Sequence, residues 1–89
     1  MKDEHKRIKE RERGVLAKQI LENPVWLDAF SDMESNIRAH MENPSASDES
    51  VLATRKMLIA LRNLKVSLET TMKTGVMAEM QLNEARDGR

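Results

Sequence analysis

Two stripes of large apolar residues constrain this chain more than any other feature. Trp26, Phe30, Met33, Ile37 and Met41 recur at steps of four, three, four and four. That spacing puts side chains on one face of an α-helix. Met57, Leu61, Leu64, Leu68 and Met72 repeat the same steps. Leu27 widens the first stripe, and Leu52 and Leu58 widen the second. A helix with one apolar face must cover it, so two such helices on one short chain are expected to cover each other. With few Gly and Pro, no alternating β-like run, and many Leu, Met, Glu, Lys and Arg, the chain is expected to be all-α.

Punctuation sets the boundaries. The residue before a proline is pushed out of the α region, so the first helix is expected to end near Glu22 in Glu22-Asn23-Pro24. Asn caps a helix start and Pro suits its first position, so the second helix opens at once, from Pro24 to about Glu42. Asn43 to Ser50 combines Pro44 with small polar residues and acids, which reads as a loop. Ser45 or Ser47 is the expected cap of the third helix. That helix is expected to span Asp48 to Thr74, with Lys73 and Gly75 closing it. The tail from Val76 is expected to be a short helix over Val76–Leu82 or frayed, with Asp87-Gly88-Arg89 fraying at its end.

Ahead of the stripes, residues 1–13 are nearly all charged. Glu4 with Lys6 or Arg7, and Glu10 with Arg13, are candidate pairs, each worth only about 0.2–0.5 kcal/mol. This arm is a solvated helical extension or a segment that orders on a partner. Ile8, Val15, Leu16, Ile20 and Leu21 can share a broad face, although Gly14 weakens the helix by about 1 kcal/mol. The expected division is a charged arm over 1–13, a helical hairpin domain over 14–75 and a tail over 76–89. The expected fold is an antiparallel hairpin of the second and third helices, with the first helix packing at its start.

The chain has zero formal net charge, but its charges are segregated. From Glu22 to Glu49 there are seven acids against one base, Arg38; from Val51 to Gly75 there are five bases against one acid, Glu69. An acidic helix followed by a basic one selects its partner face, either within the chain or between copies. Exposed pairs are worth about 0–1 kcal/mol each, so the split serves specificity more than stability.

Length and composition exclude much. Eighty-nine residues make one domain with a thin core. There is no Cys, and His5 and His40 stand far apart, which excludes disulfides and thiolate metal sites and leaves no zinc-like spacing. No cofactor is expected. Association is the remaining remedy for a thin core, so a homo-oligomer or a protein partner is expected. No apolar run reaches about 18 residues, which argues against a membrane span, and the N-terminus has no apolar signal-like region. G-x-S-x-G, P-loop and H-E-x-x-H motifs are missing, so no catalytic residues are assigned and enzymatic activity is not expected.

Two residue sets are candidates for binding. Trp26 and Phe30 read as a core anchor where helices meet or as a partner hot spot. Met77, Met80 and Leu82 have no place in a two-helix core and read as partner contacts, whereas Met33, Met57 and Met72 read as core filling. Arg7, Arg11, Arg55, Arg62 and Lys65 are the candidates for phosphate contact. Acids dilute the arm and the net charge is zero, so nucleic-acid binding is the weaker expectation.

The segments VLAKQILENPVWLDAFSDMESNIRAHM (15–41) and LRNLKVSLETTMKTGVMAEMQL (61–82) resemble small, uncharacterised helical proteins encoded in tailed-bacteriophage genomes. The matching parts are an apolar stretch closed by Asn-Pro, a Trp/Phe pair, and a third helix ending Thr-Gly before a Met/Gln/Leu tail. The resemblance implies a virion or accessory protein encoded among head and packaging genes. It implies phage structural or assembly proteins as partners and a location in the virion or host cytoplasm. It carries no site residues. The expected function is therefore a non-enzymatic structural or assembly protein. The alternatives are a nucleic-acid-binding packaging factor or regulator, and an inhibitor of a host protein.

Overall fold

A computed structural model describes residues 2–88; Met1 of the arm and Arg89 of the tail lie outside the described residues. The described chain is all-helical: α1 spans Lys2–Glu22, α2 Pro24–Glu42 and α3 Asp48–Asp87, with no strand among the described residues.

The helix breaks follow the local chemistry. Asn23 sits at φ −68°, ψ 124°, outside the helical region, and its Oδ1 accepts from the Val25 and Trp26 N–H groups at 2.8 and 3.3 Å. Its own N–H donates to the Ile20 carbonyl at 3.1 Å. One residue thus closes α1 and opens α2, as Asn-Pro requires. At the far end of α2, the Asn43 N–H donates to the His40 carbonyl at 3.3 Å, and Asn43 Oδ1 accepts from the Ser45 N–H at 2.9 Å. Ser47, not Ser45, caps α3: its Oγ accepts from the Ser50 N–H at 3.1 Å. Removing the cap between α1 and α2 should cost little, because water can reach the freed N–H groups. Asn23→Ala is expected to lower stability by about 1 kcal/mol. The check is a lower urea midpoint with an unchanged slope; an unchanged midpoint would show that this cap contributes nothing.

The tail is not a separate element. Rather than ending at Gly75, α3 runs without interruption to Asp87 over 40 residues, roughly 60 Å at about 1.5 Å per residue. Gly75 has no positive φ and is buried in mid-helix. Its role is close approach, not helix termination. A Cβ added to Gly75 would lie 2.7 Å from Gly14 Cα and 2.9 Å from the Glu10 carbonyl oxygen. A Cβ added to Gly14 would lie 2.7 Å from Gly75 Cα. The two backbones touch where neither residue carries a side chain.

The first two helices lie one after the other along α3. Arg11 lines a cleft with Glu79, Gly14 meets Gly75, and Ala17 and Ile20 share a groove with Leu68 and Thr71. Further on, Glu34 reaches Arg62, and His40 Nε2 lies 2.6 Å from Ser50 Oγ. As these contacts advance from Arg11 to His40, their partners on α3 recede from Glu79 to Ser50. Both α1 and α2 therefore run opposite in direction to α3. The molecule measures 66 × 25 × 15 Å, two helices wide and little more than one helix thick.

This placement corrects the expected partnerships. The more extensive contact of α3 is with α1, not with α2. On α1 the buried positions are Gly14 and Ala17, while Val15, Leu16 and Ile20 are exposed and Ile8 and Leu21 half-buried. On α3 the buried positions are Thr54, Leu58, Gly75 and Ala78. Met57 and Leu64 are 56% and 51% exposed, and Met33 on α2 is 49% exposed, so these are not core filling. The covered stripe of α3 is rotated one position from Met57 and Leu64, onto Thr54, Leu58, Leu61 and Leu68. The buried apolar side chains among the described residues are Ala17, Ile37, Leu58 and Ala78, and two of these are alanines. Thr54, the buried polar residue, donates its hydroxyl to the Ser50 carbonyl at 2.8 Å.

The charge split yields little direct pairing. Among the described residues, ion pairs within 4.0 Å are Lys18–Glu22, Arg38–Glu34 at 2.9 Å and Arg62–Glu34 at 4.0 Å. The last of these crosses from α2 to α3, and none joins the pairs expected in the arm. Each has at least one solvent-exposed partner, and salt and water leave such pairs at about 0–1 kcal/mol.

Candidate functional site

A fold this thin leaves its apolar side chains uncovered. The accessible surface is 7223 Å² for 10.2 kDa, against about 5,300 Å² for a compact monomer of that mass. The radius of gyration is 18.8 Å, against about 12 Å for a compact domain of this length. Val15, Leu16, Ile20, Met33, Met57 and Leu64 are among the large apolar residues between 43% and 58% exposed. These exposed side chains lie along both arms of the rod, so no single core gathers the apolar residues of the chain.

Trp26 and Phe30 are not free. Their ring centroids lie 5.7 Å apart at 42°, and Lys65 Nζ of α3 sits 5.2 Å above the Phe30 ring. Both aromatics are half-buried. They form a tilted pair covered by a cation, a junction between α2 and α3. The tail residues divide. Met77 and Met80 are 61% and 57% exposed, whereas Leu82 is half-buried. Leu82 continues the stripe of Gly75 and Ala78 that faces α1, so its spacing ties it to the fold.

The candidate phosphate-binding residues do not converge. Arg7 and Arg11 are half-buried on α1, and Arg11 lines a cleft with Glu79. Arg55, Arg62 and Lys65 lie on the other half of α3, with Arg62 near Glu34 and Lys65 over Phe30. Residue 55 is about 36 Å along the helix from residue 79 at about 1.5 Å per residue. The structure thus has two small basic groups, each with an acid or an aromatic beside it.

The clefts are shallow notches between helices. The one around the glycine contact measures about 160 Å³ and is lined by Arg11, Gly14, Val15, Met72, Gly75 and Glu79, among others. Ligand pockets usually measure about 300–1,000 Å³ and enclose convergent polar groups. A wider notch of about 440 Å³ is walled by Arg11, Glu12, Val15, Leu16 and Glu79. It brings no nucleophile to an acid–base partner. Among the described residues, no three His, Cys, Asp or Glu residues come together as a metal site. Nor is any described helix long and apolar enough to cross a membrane.

Hydrophobic periodicity misses the small-residue contact of α1 with α3. A signal for it is present in the sequence: Gly14-x-x-Ala17 and Gly75-x-x-Ala78 place a glycine and an alanine one turn apart on each helix. All four residues are buried at that contact. No family model, no curated protein and no solved structure matches this chain.

Proposed function

We propose that this chain is a docking protein that acts through helix-mediated association with other proteins, without chemistry of its own. In this reading it is a long antiparallel hairpin, with α1 and α2 as one arm broken at Asn23-Pro24 and α3 as the other. The observation that carries the reading is the run of large apolar side chains left exposed, Leu16, Met33, Met57, Leu64, Met77 and Met80 among them, along a rod 66 Å long whose total accessible surface exceeds that of a compact monomer by about 1,900 Å². A rod of this kind is suited to bridging or lining a larger body, and Met77 and Met80 offer it an adaptable contact at one end. The resemblance to tailed-phage proteins supplies the setting, a particle or its assembly machinery.

Because Met77 and Met80 already face water, Met77→Asp with Met80→Asp should leave the circular dichroism spectrum unchanged. In cells making particles, the tagged chain is expected to sediment with them or with their assembly intermediates, and the double variant to stay in the low-mass fraction. A wild-type chain that never sediments with particles removes the phage setting. A folded variant that sediments like wild type removes Met77 and Met80 from the contact.

A further inference from the structure

We infer that a second copy of this chain covers the half of one broad face formed by α2 and the start of α3, across a twofold axis that sets the two α3 helices antiparallel. The inference rests on the docking reading and names the first partner.

The two broad faces of the molecule differ in charge. One carries Glu34, Arg38 and Arg62 in contact with one another. The other is marked by the groove among Asn36, Ile37, His40, Thr54 and Met57. Following that groove by steps of four and three along α3 gives Ala53, Met57, Ala60, Leu64 and Ser67. The matching row on α2 is Ala29, Met33, Asn36 and His40. Neither row contains Asp, Glu, Lys or Arg, and every residue in them is exposed. Leu68, one turn beyond Leu64, leads into the groove that also holds Leu16 and Ile20 of α1. That groove also holds Arg13, so the uncharged face covers α2 and the first half of α3 and ends at α1.

Second, α3 presents two neighbouring stripes. The inner one, Thr54–Leu58–Leu61–Lys65, is used by α2, and Leu68 beyond it by α1. The outer one, Ala53–Met57–Ala60–Leu64, is open. A helix that contacts a single neighbour needs one such stripe; a helix in a four-helix bundle touches two neighbours and needs both.

The open stripe also fits its own image. Its steps are four, three, four, the same read in either direction, and its residues alternate small and large. Antiparallel pairing sets Met57 against Ala60 of the second copy and Leu64 against its Ala53. Both contacts are then repeated by the symmetry, as an isologous interface requires. With no charges on the face, the copy meets no repulsion from its own kind.

The test is mass in solution by light scattering after size exclusion, for wild type, Leu64→Glu, Ala60→Arg and the Met77→Asp/Met80→Asp variant. Wild type is expected at twice its 10.2 kDa chain mass, insensitive to salt. Leu64→Glu and Ala60→Arg should each weaken dimerisation on the order of 100-fold, because each buries two unpaired charges at the interface. Their helicity should be unchanged at concentrations where wild type is already monomeric. The tail variant should remain a dimer, which separates this surface from the docking of the tail. A monomeric wild type, a mass above two chains, or folded Leu64→Glu and Ala60→Arg that remain dimers would each overturn the inference. A dimer that never sediments with particles would overturn the docking reading alone.

Discussion

Replacing Gly75 by Ala destabilises the full chain, although the same change stabilises α3 as an isolated helix. In a free helix, Ala is better than Gly by about 1 kcal/mol. In the folded chain the added methyl would stand 2.7 Å from Gly14 Cα and 2.9 Å from the Glu10 carbonyl oxygen. Both are backbone atoms, which cannot turn aside as a flexible side chain can. The helices must separate, and Ala17 and Ala78, 3% and 2% exposed, lose their contacts along with the glycines. Overpacking costs about 1–3 kcal/mol and exceeds the gain in propensity. Gly14→Ala meets the same obstruction from the other side, and Gly75→Val should be worse than Gly75→Ala. The expected readout is a thermal midpoint lower by several degrees, since about 1 kcal/mol corresponds to roughly 4–8 °C in a domain of this size. The matching α3 peptide should gain helicity. A rise in midpoint for Gly75→Ala in the whole chain would mean that the two backbones are not in contact.

That pair of glycines also explains where the sequence is legible and where it is not. Chain breaks are legible because they are decided locally. Asn23 bonds to amides two and three residues away, and Ser47 to one three residues away, so nothing distant is needed to place them. A glycine two residues after a lysine is ambiguous in the same local terms. It closes a helix when it turns left-handed, or lets two backbones meet when it stays helical. Only the position of α1 decides between these for Gly75. The charge of residues 1–13 disguises α1 as a solvated arm. Its buried face is made of Gly14 and Ala17, residues that hydrophobic periodicity does not count.

The binding candidates divide in the same way. Met57 and Leu64 belong to a good apolar stripe, but α3 carries two such stripes side by side. The sequence cannot say which one the partner helix covers. Trp26 and Phe30 are legible as a cluster, and Lys65 over Phe30 completes it from a helix whose register the sequence does not supply. Met77 and Met80 have no core position in the sequence pattern, and they are exposed. Leu82 joins them only by proximity along the chain; helical periodicity puts it with Gly75 and Ala78.

A chain ending at Thr74 should lose more helix than the residues removed. A hairpin domain over 14–75 with a dispensable tail would predict the loss of residues 75–87 alone. The structure makes that segment the platform for α1, because Gly75 and Ala78 are buried against it. Without the platform, α1 is a helix of 21 residues with a glycine in its middle and Ile8 as the one large apolar side chain before that glycine. Isolated helices gain most of their stability from a packed face, and at this length they are marginal in water. Leu68 and Thr71 remain to hold Ala17 and Ile20, so the truncated chain should lose the ellipticity of residues 3–13 together with that of the removed tail. The amides of residues 3–13 should exchange at rates near those of an unfolded peptide, while those around Ile37 and Leu58 remain slower. Protection at residues 3–13 in the truncated chain would mean that the start of α1 is held by some contact other than the tail of α3. Such a result would return the tail to the role of a free docking segment. Loss of that protection would make residues 75–87 part of the fold first, with only the outward methionines, Met77 and Met80, left to meet a partner.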